Sequence, residues 1–161
     1  MLRASRESWS DYHYRVAQDD SPVGQIDISQ VGERARLRAG ETAYTVNREG
    51  MKVYKLVAEG ATLPLAAALK EIALDLTFRV DHEGRSYALK ALTTPVWDFA
   101  ILVDGLETGS IAVERAVHTP TEGRFPTDMP LPVQMFMMTL ALFARKRAGD
   151  LAAMTSTLTR G

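Results

Sequence analysis

Arg34, Arg36 and Arg38 are the residues whose type and spacing best suit chemistry, separated by Ala35 and Leu37. Alternate residues of a strand point to one side, so this spacing puts three guanidinium groups on a single face. Guanidinium forks match phosphate geometry, and a row of three suits an anionic headgroup or a phosphorylated ligand. The competing reading is a solvated outer face paired with carboxylates on neighbouring strands. A second cluster, Arg145, Lys146 and Arg147, lies near the expected end of a helix, where cations complement the dipole.

Other chemistry finds little footing. His13, His82 and His118 lie far apart, and none has the spacing of a metal-binding pair. No serine sits in a G-x-S-x-G elbow, and neither a P-loop nor a G-x-G-x-x-G run occurs. The acid pairs Asp19/Asp20 and Glu71/Asp75 read as turn or surface residues. The expectation is therefore no catalytic residue, no metal and no cofactor. Trp9, Tyr12, Tyr14, Trp97 and Phe99 read as core or rim packing, and no nucleic acid is expected as a partner. A net charge of −1 offers no whole-surface attraction to a polyanion, although a local basic patch remains open.

The absence of cysteine excludes disulfides, thiolate metal sites, cysteine nucleophiles and palmitoylation, and suits a reducing compartment. The first residues lack the apolar run of a signal peptide, and no other segment is long and apolar enough to span a bilayer. The expected location is cytoplasmic.

The element that must organise the rest is LPVQMFMMTLALFARKRAG, residues 131–149. Pro132 suits a first helical position and Gly149 a C-cap, so a helix is expected near 132–148. Val133, Phe136, Met137, Met138, Leu140 and Phe143, with Met135 and Leu142, point in every direction around its axis. A helix that is apolar all round must be covered on all sides. Its apolar part is roughly 21 Å long, short of a membrane span, which makes it a core helix.

The chain before it supplies the cover. Runs at 12–17, 23–29, 34–38, 42–47, 51–58, 74–80, 86–92, 98–103 and 108–117 are separated by turn signals such as Asp19-Asp20, Glu83-Gly84 and Asp104-Gly105. Short runs broken by such turns read as an antiparallel meander. Residues 61–76 fit a helix by periodicity and alanine content, or a strand if tertiary context overrides propensity. A flat sheet covers one side of a helix; a closed one covers every side and removes the edges. The expectation is a mainly β fold: a closed antiparallel barrel of about 10–12 strands wrapped around a buried hydrophobic C-terminal helix. Residues 11–148 form that single domain, 1–10 a loose leader, 118–130 an aperiodic connection and 149–161 a frayed tail.

The hairpins with Asp-Gly turns, the segment DFAILVDGLETGSIAV and the terminal LPVQMFMMTLALFARKRA together resemble the tubby C-terminal-like superfamily. That group includes the LURP-one-related proteins, the phospholipid scramblases and small bacterial relatives, which this chain looks most like. The resemblance implies a barrel closed around a hydrophobic C-terminal helix and a non-enzymatic role. Tubby proteins bind phosphoinositides through basic barrel residues, but no matching motif aligns onto this chain. Scramblases carry cysteines and an acidic calcium segment before the last helix; here 118–130 holds only Glu122 and Asp128. With the arginine row, the resemblance implies binding of anionic phospholipid headgroups or a membrane surface, peripherally at the inner membrane face. The alternative is a structural or protein-interaction domain with no small ligand.

Overall fold

The computed structural model describes residues 1–8, 12–70, 77–92, 98–116 and 118–159, with side chains as far as Gly149. Among the described residues, twelve strands precede one helix. The strands are β1 (Leu2–Ser5), β2 (His13–Gln18), β3 (Ser21–Ile28), β4 (Ala35–Ala39), β5 (Thr42–Glu49) and β6 (Val53–Ala58). They continue as β7 (Ala66–Lys70), β8 (Thr77–His82), β9 (Arg85–Ala91), β10 (Asp98–Val103), β11 (Leu106–Ala112) and β12 (Thr121–Arg124), followed by α1 (Leu131–Thr159). Each strand pairs antiparallel with its sequence neighbour, and β1 pairs with β12 to close the barrel.

The hairpin turns follow from residue chemistry. Asp19 and Asp20 (φ 47° and 67°), Glu83 and Gly84 (47° and 77°), and Asp104 and Gly105 (50° and 78°) place two successive residues at positive φ. That backbone matches the right-handed twist of the flanking strands, and Gly and Asp tolerate it best. Gly24 meets a different demand: a Cβ there would run into the Arg38 carbonyl on β4.

The helix lies inside the barrel. Val133, Met135, Phe136, Met137, Met138 and Leu140 are fully buried, and Phe143 is nearly so. Inward residues of the wall, among them Tyr14, Ile26, Leu37, Val46, Leu56, Phe78, Leu89 and Ile111, complete one core around it. Each large apolar side chain buried this way contributes about 1.5–3 kcal/mol as an upper bound.

Residues 66–70 of the ambiguous stretch are strand, and 71–76 lie outside the described residues. Ala66 and Ala68 point inward, opposite Leu56 and Tyr54 on one side, with Val80 facing Ala68 on the other. Small residues are accommodated there between large neighbours, and the ladder to β6 and β8 overrides alanine's helix propensity.

Three expectations are corrected. The leader expected at 1–10 contains β1, whose Leu2 and Ala4 are buried in the seam with β2 and β12. The connection expected at 118–130 contains β12, whose inward positions are Thr121 and Gly123. The frayed tail expected at 149–161 is helical as far as Thr159, so Gly149 lies within α1 and does not cap it. Arg145, Lys146 and Arg147 are therefore not at a helix end; Arg147 meets the Glu33 carboxylate and Lys146 the carbonyls of Ser29 and Gln30.

Because the barrel is a meander, alternate connections lie at opposite ends. The turns at 19–20, 40–41, 83–84 and 104–105, the loop 59–65 and the segment 125–130 share the end where α1 enters. The connections 29–34 and 50–52, with residues 113–116 and 118–120, lie at the end where α1 leaves.

Candidate functional site

The exit end gathers charge around the helix. The 29–34 loop is locked locally: Ser29 Oγ donates to the Val31 carbonyl at 2.9 Å and accepts from the Val31 N–H at 3.3 Å. Lys146 Nζ, from α1, donates to the carbonyls of Ser29 (3.1 Å) and Gln30 (3.0 Å). Arg48 Nε holds the neighbouring turn through the Gly50 carbonyl at 2.7 Å.

At the centre sits the Glu33 carboxylate. Its Oε1 accepts from Arg48 Nη1 at 2.9 Å and from Arg147 Nη2, while Oε2 accepts from the Tyr54 hydroxyl. Burial, then the hydrogen bond to Glu33 and its negative charge, push the Tyr54 phenol well above its ordinary range. It therefore remains a donor at physiological pH. The Tyr54 ring also packs 6.0 Å from that of Phe143, so the ion cluster rests on the core helix. Above it opens a recess of about 510 Å³ lined by Gln30, Gly32, Glu33, Arg34, Arg48, Lys146 and Arg147. Four cations surround one carboxylate.

A second network seals the barrel beside this mouth. Arg6 Nη2 pairs with Glu114 Oε1 at 2.6 Å, with both side chains at or below 5% exposure. The Tyr14 hydroxyl donates to the same oxygen at 3.1 Å, and the Glu114 N–H reaches Thr121 Oγ1 at 3.1 Å. Burial, with Glu114 beside it, raises the Tyr14 phenol well above its ordinary range. Arg145 lines the adjoining recess of about 190 Å³, where desolvation lowers its pKa against the opposing pull of Glu114.

Arg36 and Arg38 project from the outer face of β4, and Arg34 lies just before it; all three are exposed. Arg36 stands across from Asp27 on β3, but that carboxylate is engaged by His13 Nδ1. Among the described residues no carboxylate pairs with Arg34, Arg36 or Arg38. Arg34 lines both the mouth and a shallow hollow of about 370 Å³ shared with Arg36 on the wall. The basic track thus runs from the wall over the rim.

Arg6, Glu33, Arg48, Glu114 and the role of Arg147 escaped sequence reasoning. Each is a single charged residue with no periodic partner, and only barrel closure brings them together. The histidines stay apart: His82 is buried with Nδ1 on the Leu65 carbonyl at 2.9 Å, and His118 is exposed. Among the described residues, no three His, Asp or Glu side chains gather as a metal site. Nor is any described helix long and apolar enough to cross a membrane.

No family model, curated protein or solved structure matches this chain.

Proposed function

We propose that this is a non-enzymatic binding barrel for the anionic headgroups of a membrane surface, acting peripherally on the cytoplasmic face through Arg34, Arg36 and Arg38. One observation carries the reading: the three guanidinium groups lie exposed along one wall, without a carboxylate partner among the described residues. Guanidinium groups held this way exchange water and loose counterions for phosphate at little structural cost. A barrel closed around a C-terminal helix is also what kinship with the tubby-like group implies, and it supports that kinship. A non-enzymatic role is supported by how the two carboxylates at this end are engaged. Glu33 and Glu114 are each held by arginine and by a phenol whose pKa is raised.

The test is co-sedimentation with vesicles of phosphatidylcholine, alone or mixed with phosphatidylserine or a phosphoinositide, at low and physiological salt. Binding should require the anionic lipid, weaken as salt rises, and disappear in Arg34→Ala/Arg36→Ala/Arg38→Ala. No binding to any vesicle, or binding that the triple variant retains, overturns the proposal and turns the search to a protein partner.

A further inference from the structure

The exit mouth has a feature that the arginine wall does not. Two of the most exposed apolar side chains, Val31 at 76% and Met51 at 67%, stand on its rim. Val31 lies between the lining residues Gln30 and Gly32, and Met51 follows the lining residue Gly50. Neither tip hangs loose. Lys146 ties the Val31 loop through two carbonyls, and Arg48 ties the Met51 turn through one. Two of the four cations that make the mouth basic, Lys146 and Arg48, are the groups that hold its apolar tips in place.

The opposite end also exposes apolar residues, Leu63 at 80% and Leu106 at 72%. Its turns, however, carry Asp19, Asp20, Glu41, Glu59, Glu83 and Asp104, all exposed. An anionic bilayer repels that end and attracts the other. Shallow apolar insertion and basic attraction are each weak alone and hold a protein when combined.

We infer that the barrel docks end-on to an anionic bilayer, with Val31 and Met51 entering the apolar layer and lipid phosphates seated in the mouth between them. This rests on the membrane reading above and adds to it an orientation and a second basic site. Arg34 joins the two sites, so wall and mouth meet the headgroup layer at one rim.

The chain has no cysteine, so single replacements give unique labels. Val31→Cys, Met51→Cys, Leu63→Cys and Leu106→Cys, all at exposed positions, are each labelled with an environment-sensitive fluorophore. They are mixed with phosphatidylcholine–phosphatidylserine vesicles whose acyl chains carry bromine. The expected result is a blue shift and bromine quenching at 31 and 51, reversed by salt, with neither change at 63 or 106. In parallel, Val31→Asp/Met51→Asp should lower vesicle affinity by about an order of magnitude while its thermal melt stays unchanged. Binding without quenching at 31 and 51, or with equal quenching at 63 or 106, overturns end-on docking and leaves the membrane reading standing. Absence of binding to every anionic vesicle overturns both.

Discussion

Where α1 enters the barrel, four of the connections are two-residue turns tipped with acidic residues or glycine; where it leaves, arginine and lysine surround it. The same meander builds both ends, so the difference comes from what each connection must do. A two-residue hairpin demands positive φ, which selects Gly, Asp and a few others. Much of the acidic charge at the entry end is thus carried by residues that geometry also favours. The 29–34 loop at the exit end escapes that demand, because it arches across to meet the emerging helix. Its residues are free to hold ions, and Glu33 collects Arg48 and Arg147 there. The lesson concerns charge placement: at one end it accompanies backbone geometry, at the other it serves contacts with the core helix.

Both ends depend on the helix between them. A charge forced into the closed interior by Met138→Arg or Phe136→Asp removes most or all of the about 5–15 kcal/mol that keeps a domain folded. Soluble yield and circular dichroism should show no cooperative fold, and the same is expected of a chain ending before Pro132. A folded truncation would show that the two ends stand without their shared support.

The next contrast sets one ion pair at each end against the other. Glu114→Ala leaves Arg6 charged in a buried site and should cost about 3–5 kcal/mol in denaturant unfolding. Asp128→Ala breaks the exposed pair with Arg85 at the entry end and should cost less than about 1 kcal/mol. Equal losses would erase the distinction between a sealed end and a solvated one.

Alkali should act on the exit end. The phenols of Tyr14 and Tyr54 are raised above their ordinary value of 10.0, so deprotonation favours the unfolded chain. Their contribution is fully present below about pH 10 and is lost as pH rises toward the folded-state values. Stability measured across that window should fall, and Tyr14→Phe/Tyr54→Phe should flatten the slope. An unchanged slope would place the alkaline sensitivity elsewhere.

The smallest expected change in stability belongs to the wall. Arg34→Ala/Arg36→Ala/Arg38→Ala removes exposed side chains without described ion pairs, and should shift unfolding by no more than about 0.5 kcal/mol per site. A larger loss would mean that the arginines hold the barrel together, and would weaken their use as a binding face.

Much of this molecule is legible residue by residue. The apolar girdle of 133–143 marks a helix that needs cover all round, the acidic and glycine turns mark the hairpins, and the two-residue spacing of Arg34, Arg36 and Arg38 puts them on one outer face. These are local properties, because each segment records in its own periodicity which side it must bury. The closing seam is different. Leu2 pairs with Gly123, and the inward residues of β12 are a threonine and a glycine, so β12 shows no apolar face, while β1 offers only Leu2 and Ala4 over four residues. Residues 66–70 carry a helical pattern that only the ladders to β6 and β8 overrule. The mouth is decided the same way: Glu33, Arg48 and Arg147 come from a loop, a strand and the helix, and share no spacing that a sequence can display. Tertiary structure alone assigns these features, since closing the barrel selects among partners distant in the chain, and long-range pairing leaves no mark on local pattern.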